Sequence, residues 1–224
     1  VAEDEEPTLV GTLAERALEA ARARGGLVDV EDLDADEAEQ LGVRTPEEHL
    51  AYRWSATIPQ RFHAACVGDL ERTQSTVMIL EWAARPDGRN LVLLGPTGVG
   101  KTHAAVAACR PSFERGLSVL FMPAVELFDQ LRPGGPDDAL DALLDADRLV
   151  IDDLGSERPT GWTNERLYLV VNRRWLDLRP TVITTNLEPK TLELEVGERM
   201  FSRMVGSGAV VVRLTGPDLR RKRA

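Results

Sequence analysis

The chain holds very little of what disulfide scaffolds and metal sites are made from. Its 224 residues include two cysteines, Cys66 and Cys109, and three scattered histidines, His49, His63 and His103. A structural zinc site needs about four ligands at set spacings, and neither cysteine has a CxxC neighbour. Two reduced, buried thiols are therefore expected, as in a cytoplasmic protein. No apolar run approaches the roughly 20 residues of a membrane helix, so no membrane segment is expected. The opening residues VAEDEEP are acidic and lack the apolar stretch of a secretory signal. No GxSxG elbow is present, and the cysteines and histidines form no nucleophile–base pattern, which disfavours a hydrolase of the serine or cysteine type.

What is present is an ordinary globular composition with an uneven distribution of charge. Hydrophobic residues make up 43%, enough for a real core. The net charge of −10 is not spread along the chain. Residues 1–50 carry 15 acidic and 4 basic side chains, a balance of −11, while the other 174 residues carry 22 and 23, a balance of +1. This asymmetry divides the chain into an acidic extension over 1–50, expected to be helical or partly disordered and to bind a partner, and a main domain over 51–224 ending in a basic tail, Arg220 to Arg223. Helix formers with apolar spacing predict a helix over about 13–24.

Beyond Tyr52 short apolar runs alternate with amphipathic stretches. The runs are 91–94, 117–122, 149–151 (closing on Asp152), 181–184 and 209–214. Helical patterns cover 101–110, 124–132, 137–145, 162–176 and 190–204. Apolar strands separated by helices predict an α/β domain with a buried parallel sheet and helices on both faces.

Gly95-Pro96-Thr97-Gly98-Val99-Gly100-Lys101-Thr102 satisfies GxxxxGK[ST], after an apolar strand and at the start of a helix. Glycines let the backbone curl around phosphate oxygens, and a helix N-terminus points N–H groups at the anion. Lys101 would reach the β- and γ-phosphates of ATP and the Thr102 hydroxyl would ligate Mg²⁺. A second strand ends in Asp152-Asp153. Asp152 would hold the Mg²⁺, mostly through water, and Asp153 would orient the attacking water. Asn186, after the run TVITT, either contacts the γ-phosphate or the water, or simply makes a strand-end turn.

Together these segments resemble the DnaC/IstB family of AAA+ ATPases, helicase loaders and transposition helpers. The resemblance covers about 56–220 and rests on IPQRF, GPTGVGKTH, LVIDDLGS, NERLYLVVNRRW, PTVITTNL, GERMFSRM and LTGPDLRRK. It implies a P-loop AAA+ core with a five-stranded parallel sheet sandwiched by helices and no separate lid domain. It implies slow ATP hydrolysis at sites shared between subunits of a homo-oligomer, with Asn186 as sensor 1. Arg199 or Arg203 would reach a neighbour's γ-phosphate, with Arg174 a further residue at the boundary; the alternative for each is a surface ion pair. His103 follows the phosphate loop as in the family, and Ile58 and Phe62 stand where its adenine pocket begins, with core packing the alternative reading. Implied partners are a replicative helicase or a transposase, and single-stranded or duplex DNA, with the Arg173–Arg174 pair and the tail arginines the candidate DNA contacts. Three departures stand out: Asp153 replaces the glutamate of most AAA+ proteins, no clear sensor-2 arginine is visible, and the N-terminal extension lacks the zinc-binding module of some loaders. Three functions follow: a helicase loader, an IstB-like transposition helper, or an adaptor whose nucleotide only assembles it.

Overall fold

The apolar runs become the strands of one sheet. In the computed structural model, which describes residues 46–85, 87–132, 139–156, 161–206 and 208–220, β1 (Leu91–Leu94), β2 (Val119–Pro123), β3 (Arg148–Leu154), β4 (Thr181–Thr185) and β5 (Val210–Arg213) lie in the order β2-β3-β4-β1-β5. Every pairing is parallel. The helix predicted over 13–24, the rest of the extension up to residue 45, and Arg221 to Arg223 lie outside the described residues.

Eight α-helices are described: α1 (Pro46–Thr57), α2 (Gln74–Ala84), α3 (Lys101–Glu114), α4 (Ala124–Gln130), α5 (Ala139–Asp145), α6 (Gly161–Leu176), α7 (Pro189–Val196) and α8 (Glu198–Val205). They cover both faces of the sheet, which explains why the strands read as unbroken apolar runs. Leu91, Leu93, Val150, Val182 and Val212 face α1, α2 and α3. Val92, Leu94, Leu149, Ile151 and Ile183 face α4 to α8. Each of these fully buried side chains stabilises the fold by about 1.5–3 kcal/mol. No helix among the described residues is long and apolar enough to cross a membrane. The expected P-loop α/β sandwich is the fold observed.

Several boundaries differ from the sequence expectation, each for a local reason. The single helix predicted over 190–204 is two, because Gly197 caps α7, donating its N–H to Glu193 O at 2.9 Å, and then turns the chain. Helix α3 does not stop before Pro111 but runs through it to Glu114. Proline removes one N–H, and the buried Ser112 and Phe113 beyond it keep the last turn packed. Helix α2 escaped the periodicity reading, although it has a clear start signal: Thr73 Oγ1 accepts the Thr76 N–H at 3.2 Å and Thr76 Oγ1 accepts the Thr73 N–H at 2.8 Å. Helix α1 straddles residue 50.

Arg174 requires a correction. Expected at a subunit boundary or on DNA, it has no solvent exposure at all. Its guanidinium donates to Leu143 O at 2.8 Å, Leu144 O at 3.2 Å, Ala146 O at 2.7 Å, Pro180 O at 2.8 Å and Thr181 Oγ1 at 3.1 Å. The last carbonyls of a helix have no intrahelical donor, and Arg174 supplies one for α5 while tying it to α6 and β4. Arg173 stays on the surface, paired with Asp177 at 2.9 Å.

Candidate nucleotide site

The loop between β1 and α3 stands at the C-terminal edge of the sheet, with β4 on one side of β1 and β5 on the other. Gly100 is the N-cap of α3 in a left-handed conformation, φ 94°. Gly98 has φ 86°, and a Cβ there would lie 2.0 Å from Asp218 Oδ1. Only glycine fits this approach. The C-terminal segment is fastened alongside: Leu214 N–H donates to Leu94 O at 2.8 Å, and Leu219 N–H donates to Gly98 O at 2.9 Å. The first N–H groups of α3 have no partner within the helix, so the loop and helix end together present a positive pole to an anion.

Lys101, the first residue of α3, turns back over the loop. Its Nζ donates to Gly95 O at 2.8 Å, Pro96 O at 2.9 Å and Asn186 Oδ1 at 2.6 Å. Asn186 in turn donates from Nδ2 to Asp153 Oδ1 at 2.7 Å. The Thr102 hydroxyl donates to Asp152 Oδ2 at 3.2 Å. The sheet order explains the convergence: β1, β4 and β3 are consecutive neighbours, so their C-terminal ends meet. The five polar residues singled out in the sequence form two hydrogen-bonded sets side by side, Lys101–Asn186–Asp153 and Thr102–Asp152.

Burial and charge oppose one another here. Burial holds the Lys101 ammonium below its ordinary pKa, Asp153 and Asp152 pull it back, and the Arg220 guanidinium adds to the lowering. Burial also lifts the Asp152 carboxyl above the usual carboxylate range, and Asp153 adds to that; the hydroxyls of Thr184 and Thr102, and then Lys101, work against it. Thr102 and Asp152 are hard oxygen donors side by side, the kind of pair that suits Mg²⁺ next to phosphate.

Other expected residues fall further out. His103 is half-buried, with Nε2 3.6 Å from Asp69 Oδ2. Ile58 is packed in the core beneath α1, and Phe62 lies against Phe121 with ring centroids 6.4 Å apart. Arg203 stacks over Trp175 at 4.0 Å and donates to Asn172 Oδ1 at 3.2 Å, whereas Arg199 on the same helix is exposed. Two features escaped the sequence reading. Thr184 donates to Asp152 Oδ1 at 2.6 Å and accepts the Asp153 N–H at 2.9 Å. The segment carrying Asp218 to Arg220 lies on the phosphate loop, and the charge of Arg220 acts on the Lys101 ammonium. The motif GPDLR held that signal, yet nothing in a linear string places it beside residue 98.

Residues 63–214 match the family model IstB_IS21, described as IstB-like ATP binding protein. The chain belongs to that family. Among relatives of this IstB-like chain, the replicative helicase loader DnaC of Escherichia coli strain K12 is 31% identical over 121 residues, 51% of this chain and 49% of that one. A protein of insertion sequence IS1162 from Pseudomonas fluorescens, named for ATP binding, is 30% identical over 144 residues, 58% of this chain and 61% of that one. The chain thus spans about half the length of the first curated relatives it matches. A crystal structure of the DnaC helicase loader superposes with a TM-score of 0.64 at 27% identity, covering 70% of this chain and 99% of that one.

Proposed function

We propose that this IstB-like chain is an ATPase that loads a replicative DNA helicase. In this reading ATP assembles copies side by side on single-stranded DNA, the extension over 1–50 grips the helicase, and hydrolysis releases it. The observation that carries the ATPase part is the meeting of Lys101, Thr102, Asp152, Asp153 and Asn186 through bonds of 2.6 to 3.2 Å.

The β- and γ-phosphates would be held by the backbone N–H groups of the loop and of the first turn of α3, Pro96 excepted because it has none, and by the Lys101 ammonium. Thr102 and Asp152 would hold Mg²⁺, which would neutralise phosphate charge when bound. Asp153 is exposed at the edge of the site and accepts a proton from water. The water oxygen bonds to the γ-phosphorus as the bond from that phosphorus to the β–γ bridging oxygen breaks, leaving ADP and phosphate. Asn186 fixes the distance between Lys101 and Asp153. Aspartate is one methylene shorter than glutamate, so turnover is expected to be slow. Arg199 of a neighbouring copy completes the charge around the γ-phosphate, because Arg203 is held against α6.

Two variants test the chemistry. Lys101→Ala should lose ATP binding by equilibrium fluorescence titration, and an unchanged affinity sinks the phosphate-loop assignment. Asp153→Asn should still bind ATP and lower turnover about 10²-fold or more; equal rates would instead favour an adaptor in which nucleotide is only assembly glue.

A second reading, an IstB-like helper acting with a transposase on duplex DNA, is favoured by the family model and by the insertion-sequence relative. The loader reading draws on the DnaC relative and the DnaC superposition. A pulldown from source-cell extract, with Asp153→Asn and ATP as bait, separates them. Recovery of the replicative helicase, lost when residues 1–50 are deleted, supports loading; recovery of a transposase moves the same core to transposition.

A further inference from the structure

We propose that the Thr184 hydroxyl is the positioning element of this site, holding Asp152 and Asp153 in working orientation through a single oxygen atom. The argument starts from an irregularity in the sheet. Strands β3 and β4 pair in step from Leu149 with Thr181 to Ile151 with Ile183, and the next pair is Leu154 with Thr185. Asp152 and Asp153 therefore stand opposite Thr184 alone. Such a bulge re-aims side chains and leaves its extra residue outside the backbone ladder.

Thr184 fills the gap with its side chain. Its Oγ1 accepts the Asp153 N–H at 2.9 Å, the donor the ladder no longer serves, and donates its one hydrogen to Asp152 Oδ1 at 2.6 Å. The other Asp152 oxygen accepts from Thr102, so that carboxylate is held from both sides. Thr184 is 1% exposed, which leaves no solvent to take over either bond. Asp153 meanwhile adopts φ 58°, a left-handed conformation that non-glycine residues keep only where the surroundings enforce it. That conformation turns its carboxylate outward to Asn186 Nδ2 at 2.7 Å. Residue 184 thus sets the metal-side carboxylate by donating and the water-side carboxylate by accepting. Valine has the same branched shape and can do neither.

The inference rests on the ATPase reading above, and the test keeps the two apart. Thr184→Val and Thr184→Ser are compared with wild type, with Thr184→Ala beside them because valine leaves the buried Asp153 N–H without an acceptor, whereas the smaller alanine leaves room for a water there. Far-UV circular dichroism and melting confirm folding. The measurements are ATP turnover, affinity for a fluorescent ATP analogue in EDTA, and the Mg²⁺ concentration that gives half-maximal tightening of that binding. Outer-shell contacts of this kind are worth about 10–100-fold in metal affinity or activity. Thr184→Val, or Thr184→Ala in its place, should keep its affinity in EDTA, need about tenfold more Mg²⁺ and lose about tenfold or more in turnover. Thr184→Ser should restore most of both. Wild-type turnover and Mg²⁺ requirement in a folded Thr184→Val overturn the proposal, as does a Thr184→Ser as impaired as Thr184→Val. If wild type turns ATP over no faster than Asp153→Asn, the hydrolysis reading fails, and the Mg²⁺ requirement for binding still decides the role of Thr184.

Discussion

Cys109 shows how tightly the helix behind the phosphate loop is packed. It sits on the buried face of α3 with no exposure, and burial pushes its thiol up to about 12. The unfolded thiol titrates near its ordinary value of about 8.5, so between that pH and about 12 the folded chain holds a proton the unfolded chain has lost. Stability should therefore fall as pH rises through this window. Urea unfolding from pH 8 to pH 10 should show a shallower loss in Cys109→Ala than in wild type, and identical slopes contradict the assignment. In native protein at pH 8, iodoacetamide should label Cys66, which is half-buried, and spare Cys109. At the same scale, the phosphate-loop residues and the Asp152-Asp153 pair were legible because their chemistry is written in contiguous residues. Thr184 was not, because its partners come from the next strand.

Among elements, the join of α5, α6 and β4 depends on one side chain. Arg174 serves the carbonyls of Leu143 and Ala146 and shares that of Pro180 with the Leu149 N–H, and burial pulls its guanidinium down to about 9 while leaving it charged at neutral pH. Arg174→Met keeps the apolar stem but strands those carbonyls, and each buried unsatisfied group costs about 1–3 kcal/mol. A loss of about 3 kcal/mol or more in urea unfolding is expected; a loss under about 1 kcal/mol would mean the carbonyls find water. In the sequence, NRRW looked like a surface pair, since nothing local separates an arginine that faces solvent from one that caps a distant helix. The strands were legible from their apolar runs. The division into α7 and α8 was missed because one glycine in a long amphipathic stretch is a weak signal until its φ is known.

For the whole molecule, the charge map and the exposed Arg199 bear on assembly. If sites are shared, an arginine variant and a phosphate-loop variant fail for different reasons and can complement. Arg199→Ala should bind ATP but turn it over poorly, Lys101→Ala should not bind it, and an equimolar mixture should regain part of the wild-type rate. In comparable systems such an arginine contributes about 10³–10⁵ in rate. A mixture no more active than the sum of its parts argues against a trans role for Arg199. The same measurement with Arg203→Ala reads whether the stack on Trp175 leaves that residue free to act.

The linear sequence determined the fold class, the ATP-binding family and most of the polar residues that meet at the candidate site, because these depend on the period of apolar residues and on short motifs whose parts are neighbours in the chain. Tertiary structure alone decided what depends on distant segments meeting. It put Arg174 inside and left Arg199 outside, brought the segment around Asp218 onto the phosphate loop, and set one threonine hydroxyl opposite two aspartates. Those outcomes turn on strand order and a register shift between β3 and β4. Both are properties of pairing between strands, and neither is encoded in any single segment.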